Sequence, residues 1–368
     1  MRHVYLAATG QNRGKTTISL GVLDGFLRRG LSTGFMKPVG QRTVIEDGEV
    51  ADEDALLMRH VFGLPEPFTR MSPVHIPRGF TQRYIEGGVV EDLPARIRAA
   101  HAEFAGDREI LLIEGTGHAG VGAVIGLSNA TVAAMLGAPA VIVSEGGVGR
   151  PIDEIVLNAA LFARHGVRVA GAIVNKVDLD AKPDLARTLE RGLARQGIPL
   201  LGVLPYRPIL SNPTLAMVLE GVQGETLNVG PDLDQVIGGV AIGAMEPGHM
   251  LQRIGPRSVV IVPGDRTDVI RAIVDAHLDA DGEGNGALGL VLTGGYRPDH
   301  AVVDAIRSAD LFATLVPEDT YLVASEVHDL LVKTHPSDVG KIAEIKALVW
   351  EHLSIDRVLG VAASAAGA

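Results

Sequence analysis

Cysteine is missing altogether from these 368 residues. That excludes a disulfide framework, a thiolate nucleophile and any cysteine-built zinc or iron–sulfur site, and it suits a reducing compartment, so a cytoplasmic protein is expected. Aromatics are sparse at 4%, and Lys plus Arg number 33 against 44 Asp plus Glu, giving a formal net charge of −11. No basic cluster or interleaved aromatic set stands out, so no nucleic-acid surface is expected. Long hydrophobic runs are lacking too. Val236 to Met245 stays well short of the ~20 residues a membrane helix needs, and the N-terminal apolar run is cut at Gly10, unlike a signal peptide. No membrane partner is expected. What is plentiful is apolar residues, 46% of the chain, and domains of about 100–200 residues make two the working count.

The chemistry begins at the N-terminus. His3-Val4-Tyr5-Leu6-Ala7-Ala8-Thr9 reads as a buried strand, Gly10-Gln11-Asn12-Arg13-Gly14-Lys15-Thr16-Thr17 as a loop, and Leu20, Leu23, Phe26 and Leu27 recur at helical spacing after it. Strand, glycine loop and helix make the context of a phosphate-binding loop. Gly14 lets the backbone approach a polyphosphate, the amides and the helix N-terminus present positive charge, Lys15 reaches the outer phosphates, and the Thr16 hydroxyl can ligate Mg²⁺. The strict G-x-x-x-x-G-K-[ST] pattern fails by one residue, because Thr9 stands where the first glycine belongs and Gly10 follows.

Further strand ends gather around the same crevice. Leu31 to Gly40 reads as a second strand stopping at Pro38 and placing Lys37 at its carboxyl end. Lys37 either faces the crevice or lays its stem over a strand. Glu46 to Asp54 is dense in acid and precedes a helix, so Asp54 either caps that helix or reaches a metal. Pro65 to Val90 looks like an irregular excursion over the crevice. Glu109 to Ile113 is a buried strand ending in Glu114-Gly115, where a carboxylate can hold Mg²⁺ opposite Thr16. His118, just beyond, is either a substrate contact or a solvated loop residue.

Three more strand–helix pairs follow, with strands at 138–144, 167–174 and 200–205, so a parallel sheet with helices on both faces is predicted. Asn175-Lys176-x-Asp178 resembles the base-reading motif of guanine-binding GTPases. An Asn amide reads adenine equally well, so Asn175 is taken as a base contact with the base left open and adenine favoured. Gly221 to Thr226 breaks the alternation, and a second α/β series starts near Leu233. It includes the strand Ser258 to Pro263, the helix opening at Asp265-Arg266-Thr267-Asp268, and Thr293-Gly294-Gly295. These strand ends, with Thr320, read either as a small-ligand pocket or as caps and turns. Trp350, the single Trp, sits in a C-terminal helix as an expected core residue.

Thr9-Gly10 through Gly14-Lys15-Thr16, Lys37-Pro38-Val39, Asp54, Glu114-Gly115, Asn175 and Leu201-Gly202-Val203-Leu204-Pro205 resemble, in the same order, the motifs of dethiobiotin synthetase. The whole chain is more similar still to the N-terminal region of long bacterial phosphotransacetylases, through Phe35-Met36-Lys37-Pro38, Gly126-Leu127-Ser128-Asn129 and Gly171 to Lys176. Its later part resembles the DRTGG domain, with Asp268 in place of that signature's first glycine. The resemblance implies a P-loop NTPase domain over 1–222, a smaller DRTGG-type α/β domain over 233–360 and a fraying tail over 361–368. It implies ATP and Mg²⁺, the metal held by Thr16, Asp54 and Glu114, the nucleotide by residues 10–17, Asn175 and Pro205, with Lys15, Lys37 and Glu114 catalytic. Lys37 would meet a carboxylate or carbamate beside the γ-phosphate. Thr116 to Gly122 departs from the dethiobiotin synthetase pattern, which puts the biotin-pathway substrate in doubt. No acetyltransferase domain follows, so phosphate acetyltransfer is not expected. The expectation is a regulatory or sensor ATPase forming a homo-oligomer, with a metabolite or partner protein at the second domain, or else an ATP-dependent ligase.

Overall fold

Runs of residues that are apolar on both sides become central strands in the computed structural model, which describes residues 1–364 apart from 47, 180, 231, 280–285 and 331. The chain forms two units, residues 1–206 with 334–368, and residues 207–333. In the first, β1 (Arg2–Ala8), β2 (Thr33–Met36), β3 (Ile110–Glu114), β4 (Ala140–Glu145), β5 (Val169–Val177) and β6 (Leu200–Pro205) lie in the order β6-β5-β4-β1-β3-β2, all parallel. β1 and β3 are buried almost without interruption, as a parallel sheet covered by helices on both faces requires. β1 is central, so its carboxyl end opens at the point where the strand order reverses, the usual place for a ligand crevice. The helix that follows it, α1 (Lys15–Arg28), starts there. The segment expected to be irregular holds two short helices, Phe68–Met71 and Phe80–Ile85, and Val74–His75 pairs with Val39–Gly40.

The chain returns to this unit at its C-terminal end. Helix Val339–His352 lies along α1 so closely that a β-carbon on Gly21 would meet Val349 at 2.2 Å, and one on Gly25 would meet Ile355, the first residue of the next helix, at 2.7 Å. Leu353 bridges to Gly202 of β6, and Ala363–Ser364 pairs antiparallel with Arg2 and His3. The sequence reading placed 334–360 with the second domain and 207–222 with the first. The structure groups both the other way, because Val349 and Ile355 dock on α1 while Leu215, Val218 and Val222 join the core of the second sheet. Helical periodicity marks an apolar face without saying which unit it covers. The expected fraying tail is paired at 363–364, and 365–368 lie outside the described residues. Trp350 is not core. It is 51% exposed, with the Arg28 and Arg29 guanidinium groups 5.2 and 5.5 Å from its ring centre. Gly21→Leu is therefore expected to lever this helix off α1, destabilising the unit by about 1–3 kcal/mol from overpacking. Emission from the single Trp should change as the arginine stack is lost, and unchanged emission would show the helix still docked.

A histidine pair sits at the amino end of the sheet. His3 Nε2 donates to the Gly137 carbonyl at 3.1 Å, which leaves Nδ1 to accept from His101 Nε2 at 3.2 Å. This arrangement requires a neutral His3, whose Nδ1 must keep its lone pair, and leaves no room for two charged rings. Burial holds His3 below its ordinary range and pulls His101 down to about 4, with His3 itself adding to the effect on His101. Between pH 6.5 and about 4 the unfolded chain binds more protons than the folded one, so stability is complete above 6.5 and lost as pH falls. His101→Leu should flatten that acid limb of the melting-temperature profile; an unchanged slope would refute the assignment.

In the second unit β7 (Glu225–Asn228), β8 (Gly239–Ile242), β9 (Ser258–Pro263), β10 (Ala287–Thr293) and β11 (Phe312–Leu315) order as β7-β11-β10-β9-β8, with β7 alone antiparallel. Alternate residues of β9 supply two cores, Val260 and Val262 on one face and Val259 and Ile261 on the other. α2 (Thr267–Asp279) covers the first face and α3 (Thr320–His328) the second. Among the described residues no helix is long and apolar enough to cross a membrane.

Candidate functional site

The loop between β1 and α1 turns through left-handed backbone at Asn12 (φ 57°) and Gly14 (φ 87°). A β-carbon on Gly14 would stand 2.1 Å from the Asn175 amide nitrogen, so glycine is required by both conformation and space. α1 has no side-chain cap, and its first internal bond runs from Ile18 N to Gly14 O at 3.0 Å. The amides of Lys15, Thr16 and Thr17 therefore have no intrahelical acceptor and, with the helix dipole, make an anion cradle. Gln11 and Asn12 are exposed at the loop tip, while Gly10 and Thr17 are half-buried. Lys15 is only 8% exposed. Burial, with the nearby Lys37 charge, pulls its ammonium down to about 8.

Behind the cradle lies a buried ionic cluster. Lys37, 4% exposed, donates from Nζ to Asp54 Oδ2 at 2.5 Å and Glu114 Oε1 at 2.9 Å. The Thr16 hydroxyl lies 2.9 Å from Asp54 Oδ1 and 3.3 Å from Glu114 Oε1. Lys37 thus faces the crevice instead of covering a strand. Asp54 is not the helix cap: the Asp52 carboxylate accepts from Asp54 N at 3.0 Å, freeing the Asp54 side chain for the cluster. Burial alone would lower Lys37 and raise Asp54. The Asp54, Glu114 and Asp52 carboxylates instead hold Lys37 well above its ordinary value, and Lys37 holds Asp54 below its own. For Glu114 burial wins over Lys37, and its carboxyl is pushed up. Burial also pushes Asp52 up to about 7.

These oxygens suit a hard divalent cation. Glu114 Oε2 is buried with no hydrogen-bond partner, and Thr16, Asp54 and Glu114 offer oxygen donors only. Among the described residues no group of three or more His, Asp or Glu is placed to hold a metal. A cation here would accordingly take few protein ligands, as Mg²⁺ beside a polyphosphate does.

Side chains from distant elements brace the loop. Asn175 Nδ2 donates to Arg13 O at 3.1 Å and Lys176 Nζ to Asn12 O at 2.7 Å. Arg13 pairs with Glu145 at the end of β4, and with Glu154 at 3.8 Å. The Thr9 hydroxyl donates to Glu154 at 2.9 Å. Asn175 is buried with its amide on the loop, a bracing position; Pro205 ends β6, half-buried. Asn129 organises the neighbouring turn, accepting from Tyr5 OH (2.8 Å) and Thr116 N (3.1 Å) and donating to the Thr116 and His118 carbonyls at 2.7 and 2.6 Å. His118 is exposed, its ring accepting from Gly120 N. Of the braces that sequence reasoning missed, Glu145, an acid at a strand end like Glu114, is one that carried a readable signal.

In the second unit the Arg266 fork is occupied by Asp268 at 2.9 and 3.0 Å and by the Met245 carbonyl, while Thr293 and Thr320 bond each other at 2.7 Å. At those strand ends these side chains are engaged with one another and with backbone. A cleft of about 1230 Å³ lies instead at the amino ends of the strands, lined in part by Ile237, Arg257, His277, Leu288 and Asp310.

The family profile AAA_26, an AAA domain, matches residues 2–214, and the DRTGG domain profile matches residues 217–330. The chain is 26% identical to a phosphate acetyltransferase of Pseudomonas aeruginosa over 84% of its own length and 44% of that protein's. It is 31% identical to the ATP-dependent dethiobiotin synthetase BioD of Aromatoleum aromaticum, over 55% of this chain and 89% of that one. Among solved structures, the septum site-determining protein MinD complexed with Mg-ADP from Pyrococcus horikoshii matches with a TM-score of 0.37 and 15% identity, covering 56% of this chain and 83% of that one. The chain spans about half the length of the phosphate acetyltransferases it matches, 44% and 51% for those of P. aeruginosa and Synechocystis.

Proposed function

From the premise that the chain belongs to the AAA_26 family and carries a DRTGG domain after it, we propose that its first unit binds ATP with Mg²⁺ and turns it over as a regulatory ATPase. The observation that carries this reading is the single bonded cluster of Thr16, Lys37, Asp54 and Glu114 set directly against the uncapped start of α1. The amides of residues 14–17 receive phosphate oxygens, Lys15 neutralises charge on the outer phosphates, and Gly14 allows the backbone its close approach. Thr16, Asp54 and Glu114 would hold the Mg²⁺, which supplies charge neutralisation to the β- and γ-phosphates. Asn175 and Pro205 border the base, with adenine favoured. Lys37 places the acceptor in line with the γ-phosphate, and rate enhancement comes from position and electrostatics. The second unit takes a small metabolite or a partner protein.

A second reading, an ATP-dependent ligase that activates a carbamate or carboxylate, draws on one specific observation. Lys37 is a buried cation at the crevice, where an anionic acceptor would need one. Turnover of Mg·ATP by the protein alone decides between them. Slow basal hydrolysis supports the regulator; phosphate release that appears only with one added amine or carboxylate supports the ligase; no uptake of Mg·ATP by calorimetry refutes both.

A further inference from the structure

Lys37 occupies the position of a counter-ion. Its ammonium bridges Asp54 and Glu114, the two carboxylates assigned above to the metal, and lies 3.5 Å from the Gly115 carbonyl. Thr16, the third oxygen donor, bonds the same two carboxylates. Two acids, 28% and 0% exposed at the side chain, share one lysine at 5%, and Glu114 Oε2 is left without a partner. A buried carboxylate pair without a cation would be strongly unfavourable. A divalent ion drawn to the same two carboxylates would set its charge beside the Lys37 ammonium and compete with it for them.

We propose that Lys37 is an exchangeable stand-in for the divalent cation, so that metal loading is what releases it to bind the anionic acceptor or the γ-phosphate. The inference rests on the nucleotide-site reading above and adds an order of events to it. Before loading, Lys37 is held on Asp54 and Glu114 and has no free ammonium to offer a carboxylate. On loading, Lys37 gives up one or both acids and is left as a buried cation in search of an anion, which the crevice then supplies. Acceptor capture ahead of Mg·nucleotide is disfavoured by the same ion pairs, a safeguard against an unproductive complex.

The test uses the wild-type protein and the reactivity of the Lys37 amine. Peptide-resolved acetylation is compared in EDTA and with Mg·ADP, which lacks the γ-phosphate that would otherwise cover the freed lysine. Lys37 should be nearly inert in EDTA, where its amine is held on Asp54 and Glu114, and label at least about five-fold faster with Mg·ADP, since release from those two contacts frees it to move. Exposed Lys182 serves as the internal control. Calorimetry on the same sample reports Mg·ADP uptake. Uptake with unchanged Lys37 labelling overturns this inference and leaves the nucleotide site standing; absence of uptake overturns both. A second measurement reads the metal alone. Added Mg²⁺ without nucleotide should raise the melting temperature of Lys37→Met by about 5 °C or more while moving wild type by less than about 2 °C, because only the variant has an unfilled carboxylate pair. Equal shifts in the two proteins would refute the exchange.

Discussion

Lys15→Ala should lose Mg·ATP uptake by about 100-fold, the upper end of what a hydrogen bond to a charged group contributes. The same substitution should leave the nucleotide-free protein at least as stable as wild type. Lys15 is 8% exposed, and its ammonium is disfavoured by burial and by Lys37 before any phosphate arrives. Its charge is placed for a ligand and opposes folding until the ligand comes, so binding and stability should move in opposite directions. Calorimetry measures the first and thermal melting in EDTA the second. Retained uptake would refute the phosphate-loop assignment. A large loss of stability in EDTA would mean that the Lys15 ammonium is held by a partner within the protein.

The second large effect belongs to Lys37→Met. This change leaves Asp52, Asp54 and Glu114 without their shared cation, and breaking a buried ion pair on one side costs about 3–5 kcal/mol. For a unit of this size that corresponds to a fall in melting temperature of about 10 °C in EDTA. Pairing the substitution with Glu114→Gln should recover much of the loss, since the second change removes the acid left unpaired. Both proteins should turn over ATP poorly, so the recovery is visible in stability alone. If the double variant melts no higher than the single one, Lys37 and Glu114 are not coupled in the way their 2.9 Å contact implies.

Much of this site could be read from the chain because its parts obey local rules. A strand that must be buried on both faces, a left-handed glycine and an amphipathic helix leave one place for the loop, and acids or lysines at strand ends point toward the same crevice. Lys37 and Glu114 are such strand-end residues, and the structure brings them together with Asp54, which stands in an acid-rich run before a helix. Asp54 could not be separated from a cap by pattern alone, since Asp52, two residues earlier, is an equally good capping residue; only the geometry shows which carboxylate turns back to Asp54 N. The braces on Arg13 and Asn12 come from Glu145, Glu154, Asn175 and Lys176, more than 130 residues away, and no local pattern reports such pairings. Trp350 failed for a related reason. A large apolar side chain is expected inside, but here two arginines at the end of α1 offer it a surface position.

The excursion and return of the backbone has a consequence for biosynthesis. A ribosome must finish all of residues 207–333 before it delivers the helices that cover α1, so during translation the nascent first unit displays the apolar flank around Gly21 and Gly25. Full closure of the first unit therefore waits on residues 334–364, which are made after all of the second.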